Sequence, residues 1–191
     1  MRTVRVTLLP MHVRWSSVRG MQVVSDETQL TVGLLTHPLI NADTGRLLGF
    51  FVVGVGADLF LSVLDIVAWG MRVHVRSVDA LSPPGDLIRL QKFLADPRTF
   101  LHQRICIRES GVFLGVCADL QFDTRQYSIE WLFPRRMFFF RTPIAAQEIL
   151  EVTPDAIWVE GPLRPMKECI LERSDALKSS MKTEATASTR M

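Results

Sequence analysis

Residues 41–57 read NADTGRLLGFFVVGVGA, and residues 107–122 read IRESGVFLGVCADLQF. Each stretch holds a polar turn ending in glycine, then three residues closing on Leu, a second glycine and an apolar run. Gly45 matches Gly111 and Gly49 matches Gly115 at a common shift of 66 residues. Asp-Thr-Gly and Glu-Ser-Gly supply the positive-φ residue that a tight hairpin turn requires. A glycine in the following strand marks a bulge or a sharp bend. Downstream, RSVDALSPPGDLIRL (76–90) resembles AAQEILEVTPDAIWV (145–159). Both hold an aliphatic-acidic-aliphatic stretch, a proline-containing turn with an Asp, and an apolar strand. The larger shift of this second match places a longer middle in the second copy, around Phe133–Thr142.

Outward from these stretches the pattern is that of strands. In MRVHVRSV (71–78), Met71, Val73 and Val75 lie on one face against Arg72, His74 and Arg76. In QYSIEWLF (126–133), Tyr127, Ile129 and Trp131 oppose Ser128 and Glu130. Short bent strands separated by frequent turns predict a small barrel for each copy. Between the copies, DLIRLQKFLADP (86–97) changes period, with Leu87, Leu90 and Leu94 on one side and Asp96-Pro97 as a stop. It predicts a closing strand running into a short connecting helix. Beyond Gly161-Pro162, PMKECILERSDALKSSMK (165–182) predicts a helix starting at Pro165, followed by a small, polar, disordered tail.

The turn-Gly-x-x-Leu-Gly-strand pattern, followed by an aliphatic-acidic pair, a turn and a closing strand, resembles the PRC-barrel family. That family includes the cytoplasmic domain of the photosynthetic reaction-centre H subunit and the C-terminal domain of a ribosome-maturation factor. The resemblance implies an all-β chain of two tandem small antiparallel barrels, used for docking rather than catalysis. The expected organisation is an N-terminal extension over 1–24, disordered or belonging to a mis-assigned start. A first barrel then covers 25–90, a connecting helix 91–99 and a second barrel 100–163, with a short helix and tail over 164–191.

Composition narrows the function classes. The chain has 191 residues, 48% hydrophobic and 22% charged, which excludes global disorder. Arg2, Arg5, Arg14 and Arg19 are unaccompanied by acids in the first twenty residues, whereas 21–163 carries twelve basic and sixteen acidic groups. The sequence pI of about 8.6 therefore belongs to the ends, and DNA binding driven by bulk charge is not expected. Cys106, Cys117 and Cys169 are odd in number and form no CxxC, which fits a reducing cytoplasm. The best candidate for a membrane span, Leu47 to Trp69, is interrupted by Asp58 and Asp65. Each would cost about 2.5–3.5 kcal/mol at a helix centre.

Catalytic signatures are lacking. There is no GxSxG, no GxGxxG and no GxxxxGK[ST], and His12, His37, His74 and His102 are scattered singly. No catalytic residue, cofactor or metal is expected. Asp58 and Asp119, which follow the Leu-Gly strand in each copy, read as turn or strand-end residues.

The richest surface candidate is WLFPRRMFFFRTP (131–143). Arg135, Arg136 and Arg141 beside Phe139 and its neighbours suit a partner hot spot, and also single-stranded nucleic acid or anionic lipid. In the competing reading, the phenylalanines fill the barrel and the arginines solvate its rim. The expectation is a non-enzymatic docking or scaffold module on a protein or membrane-associated complex. The alternative, carried by the resemblance, is a ribosome-assembly factor that binds a ribosomal protein.

Overall fold

Val73 and Val75, the inward side of the alternating run, are fully buried, while Met71 is 83% exposed in the turn before them. Alternation thus places the strand correctly but starts it two residues early. A computed structural model of the chain describes residues 11–54 and 58–161. The expected C-terminal helix and tail, together with Cys169, lie outside the described residues.

The described chain is mostly β. It begins with β1 (His12–Arg14), a single helical turn α1 (Trp15–Val18) and β2 (Gln22–Ser25). Then come β3 (Thr31–Ile40), β4 (Leu47–Val53), β5 (Asp58–Ser62), β6 (Ile66–Trp69), β7 (Val73–Val75) and β8 (Leu81–Ser82). After α2 (Gln91–Leu94) follow β9 (Arg104–Ile107), β10 (Phe113–Asp123), β11 (Ser128–Arg136) and β12 (Phe139–Phe140). β13 (Ile144–Ala145), β14 (Ile149–Val152) and β15 (Ala156–Val159) complete the chain. They form two sheets, one of them curled into a half-barrel. The first runs β6-β7-β2-β3-β4-β5-β8. The second runs β12-β11-β10-β9-β15-β14, with β1 added on β10 and β13 on β11.

The chain is a duplication, but not in the register expected. In each half an antiparallel hairpin (β2–β3, β9–β10) carries a parallel partner (β7, β15) on its first strand and a second hairpin partner (β4, β11) on its second. The parallel strand pairs in turn with the strand before it, β6 or β14, through an irregularity at the same place. Gln22 corresponds to Arg104, Thr31 to Phe113 and Leu47 to Ile129, a shift of 82 residues. Gly45 and Gly111 are therefore not equivalent: one turns β3 into β4, the other β9 into β10. The true counterpart of Gly115 is Gly33. A Cβ on either would lie 2.7 Å from a carbonyl oxygen of the next strand, that of Val53 for Gly33 and of Arg135 for Gly115. Gly49 is needed for another contact, since its Cβ would meet the Leu61 carbonyl and the Phe60 ring. In this register the second half gains one residue between β11 and β14, not a longer middle.

Two further expectations change. Residues 11–24 are not an extension. β2 sits between β7 and β3, β1 pairs with β10, and Trp15 and Val18 are buried. The basic composition of the first twenty residues masked the apolar residues that enter the core, Val13, Trp15 and Val18. The closing strand expected at 86–90 is absent, since Pro84–Asp86 and Ile88–Leu90 are 3₁₀ turns. Pro84 instead opens the first of these turns at its N-terminal position, and the connecting helix shortens to the four residues of α2.

One apolar core spans both sheets. Phe50 of β4 is fully buried, with ring centroids 5.9 Å from Trp15, 5.6 Å from Trp69 and 6.0 Å from Phe122. Trp69 lies edge-on to Phe122 at 5.9 Å and donates its indole N–H to the Tyr127 hydroxyl at 3.1 Å. The two turns that follow β3 and β10 also pair reciprocally. The Leu47 N–H donates to the Tyr127 carbonyl at 2.7 Å, and the Ile129 N–H donates to the Gly45 carbonyl at 2.9 Å. Leu47 matches Ile129 and Gly45 matches Tyr127, so this seam is self-complementary, as a twofold interface is.

Because the core is shared, the halves are expected to unfold together. Phe50→Ala is expected to lower stability by about 3–5 kcal/mol, with coincident transitions by circular dichroism and tryptophan fluorescence in a denaturant titration. Two separated transitions would show that the halves are independent.

Candidate functional site

β11 carries Arg135 and Arg136 out of the sheet to its edge. Up to Pro134 the strand is buried on both faces: Ile129 and Leu132 enter the main core, while Trp131 and Phe133 form a smaller cluster with Ala145 on the other face. The Arg14 guanidinium caps this cluster, 3.6 Å from the centroid of the Phe133 ring. Beyond Pro134 the chain leaves the body as a hairpin. Arg136 pairs with Phe139 and Arg135 with Phe140, leaving Met137-Phe138 as a two-residue loop. Such loops demand a positive φ, which Met137 supplies at 55° without being glycine. The Arg141 N–H continues the hairpin by donating to the Pro134 carbonyl at 2.8 Å.

The expected site residues Arg135, Arg136, Phe139 and Arg141 are thus brought together and exposed. Met137, Phe138, Phe139 and Phe140 are 82%, 89%, 73% and 61% exposed. Of the expected barrel fillers only Trp131 and Phe133 are inside, so the rim reading does not hold for residues 138–140. Phe113 and Arg104 join the site from β10 and β9. The guanidiniums of Arg104 and Arg136 lie 5.1 and 5.7 Å from the centroid of the Phe113 ring. Both are distant in sequence, and only the pairing of β9 and β11 on β10 reveals them. A cleft of about 260 Å³ lies at the hairpin's base, lined by Val112, Phe113, Pro134, Arg136 and Arg141 among others.

The first half lacks this composition. Val53 corresponds to Arg135, so in sequence VGVGAD (53–58) aligns with RRMFFF (135–140). The first copy has no arginine and no aromatic residue there, the second two arginines and four large apolar residues.

Elsewhere the polar groups are committed to structure. Asp119 and Asp58 are not counterparts. Asp58 opens β5, whereas Asp119, buried in β10, accepts from the Ser16 N–H at 3.0 Å, the Ser16 hydroxyl at 2.6 Å and the Leu120 N–H at 2.9 Å. It thereby fixes α1 against the second sheet. Arg98 is held by Asp43 and Asp96, and it keeps the Asp96 carboxyl below the ordinary carboxylate range. Burial, with the Asp119 charge nearby, pushes the Cys117 thiol up to about 12. His12, Asp123 and Glu130 each place one potential ligand atom within 4.8 Å of the others, the arrangement nearest a metal set among the described residues. Their positions have another cause. His12 Nδ1 lies 2.7 Å from Glu130 Oε2, and Asp123 accepts the Arg125 and Gln126 N–H groups in the turn after β10. Among the described residues no helix is long and apolar enough to cross a membrane. No protein-family model and no curated protein matches this chain.

Two outcomes follow from this polar chemistry. Asp119→Ala should cost about 2–3 kcal/mol in denaturant unfolding and speed hydrogen exchange in residues 12–18. Cys117 should resist alkylation at pH 8 in the native protein, because almost none of it is thiolate, and react once denaturant is added. Peptide mapping by mass spectrometry reads both states.

Proposed function

We propose that this protein is a non-enzymatic docking module of two PRC-barrel-like halves, and that its contact surface is the β11–β12 hairpin. The observation that carries the reading is the run of four consecutive large apolar side chains, all more than half exposed, between Arg136 and Arg141. Scattered exposed apolar residues are ordinary, but a contiguous apolar tip is costly in water and is retained where something covers it. The duplicated strand order supports the two-halved architecture. A buried Cys117 whose thiol is held in its protonated form, and an Asp119 carboxylate engaged with Ser16, favour docking over chemistry.

Fractionation of a native lysate tests the reading with full-length protein and an Arg136→Glu/Phe139→Ser variant. Wild type is expected in heavy or pelleting fractions and the variant at its monomer position. Identical profiles would remove the hairpin from any docking role.

A further inference from the structure

The kind of surface that covers the hairpin can be argued from its geometry, accepting that the hairpin is the docking element. In a strand, successive side chains point to opposite faces. Phe139 and Phe140 therefore project on opposite sides of the ribbon, and both are exposed, with Met137 and Phe138 at the end. A groove on a protein partner, or a strand added to the β12 edge, covers one face and leaves the other apolar face in water. An apolar medium surrounding the tip buries all four side chains at once. Along the segment that carries the tip the charge has one sign. No acid occurs between Glu130 and Glu148 in the sequence, whereas Arg135, Arg136 and Arg141 do. Arg104 joins them from β9 on the far side of β10, since Arg104 and Arg135 both register with Val116. Apolar tip first and cationic collar second is the depth order of a bilayer surface, acyl region beneath and phosphate above.

We propose that Met137–Phe140 insert into the interfacial layer of an anionic lipid bilayer, with Arg104, Arg135, Arg136 and Arg141 on the lipid phosphates. The mildly acidic body stays outside, so binding depends on the local field of the collar rather than on net charge.

Full-length protein is sedimented with phosphatidylserine-containing vesicles and with pure phosphatidylcholine vesicles. Binding is expected to the anionic vesicles and to weaken with salt. Replacing Arg135, Arg136 and Arg141 by Gln should lower partition about 100-fold, at about fivefold for each arginine. Replacing Phe138, Phe139 and Phe140 by Ser should lower it at least about tenfold. All these positions are exposed, so circular dichroism should show both variants folded. A Phe139→Trp variant adds a depth reading, its fluorescence being quenched by bromolipids on binding. Absence of vesicle binding, or binding indifferent to the Phe→Ser changes, overturns the proposal. So does hairpin-dependent capture by a soluble protein, an oligonucleotide or a second copy of the chain with no vesicle binding, although the docking reading would then stand. If the lysate profile is also indifferent to the hairpin, both readings fall.

Discussion

The structure depends on the seam where two equivalent turns meet. Leu47 and Ile129 exchange hydrogen bonds with Tyr127 and Gly45, and behind them Phe50, Trp69, Phe122 and Trp15 close a single aromatic cluster. A sheet of short, curved strands leaves one face apolar and cannot cover it alone. Each half supplies the other's missing layer, and backbone bonds at the turns fix the alignment in which the aromatic cluster packs. Tyr127 serves both purposes. Its backbone accepts from Leu47, while its hydroxyl satisfies the Trp69 indole N–H that burial would otherwise leave unpaired.

The N-terminal segment ties this arrangement together. β1 belongs to the second sheet and β2 to the first, so the few residues of α1 bridge the halves. Asp119 holds that bridge by accepting both donors of Ser16. His12 beside Glu130 and the Arg14 guanidinium over Phe133 anchor the same segment to the outer face of β11. That outer cover explains why β11 is buried on both sides, against the alternation of a half-exposed strand. It also leaves the end of β11 free to project as the hairpin.

Duplication also isolates what is special to one copy. Positions that build the seam keep their roles in both halves, with Gly33 and Gly115 making room for the same carbonyl and Asn41 and Asp123 each accepting in the turn that follows. Between β4 and β5 and between β11 and β12 the two sequences diverge, from VGVGAD (53–58) to RRMFFF (135–140). Residues 137–140 are exposed, so packing within the described residues does not account for large apolar side chains there.

The strand-rich class, the presence of a repeat and the odd character of residues 131–143 were legible in the sequence, because alternation and composition are local properties. The repeat's register was not. At three of its positive-φ positions glycine stands in one copy only: Gly20 matches His102, Gln29 matches Gly111, and Gly45 matches Tyr127, with φ of 79°, 65°, 59°, 65°, 65° and 51° respectively. Glycine matching therefore joined two different hairpins. Gln29 and Tyr127 tolerate that conformation because each N–H bonds the carbonyl four residues back, a pairing set by the strands on either side. Composition likewise marked 131–143 as unusual without deciding whether its phenylalanines face in or out. Pairing and burial decided that: Trp131 and Phe133 pack with Ala145 on the outer face of β11, and residues 137–140 stay outside.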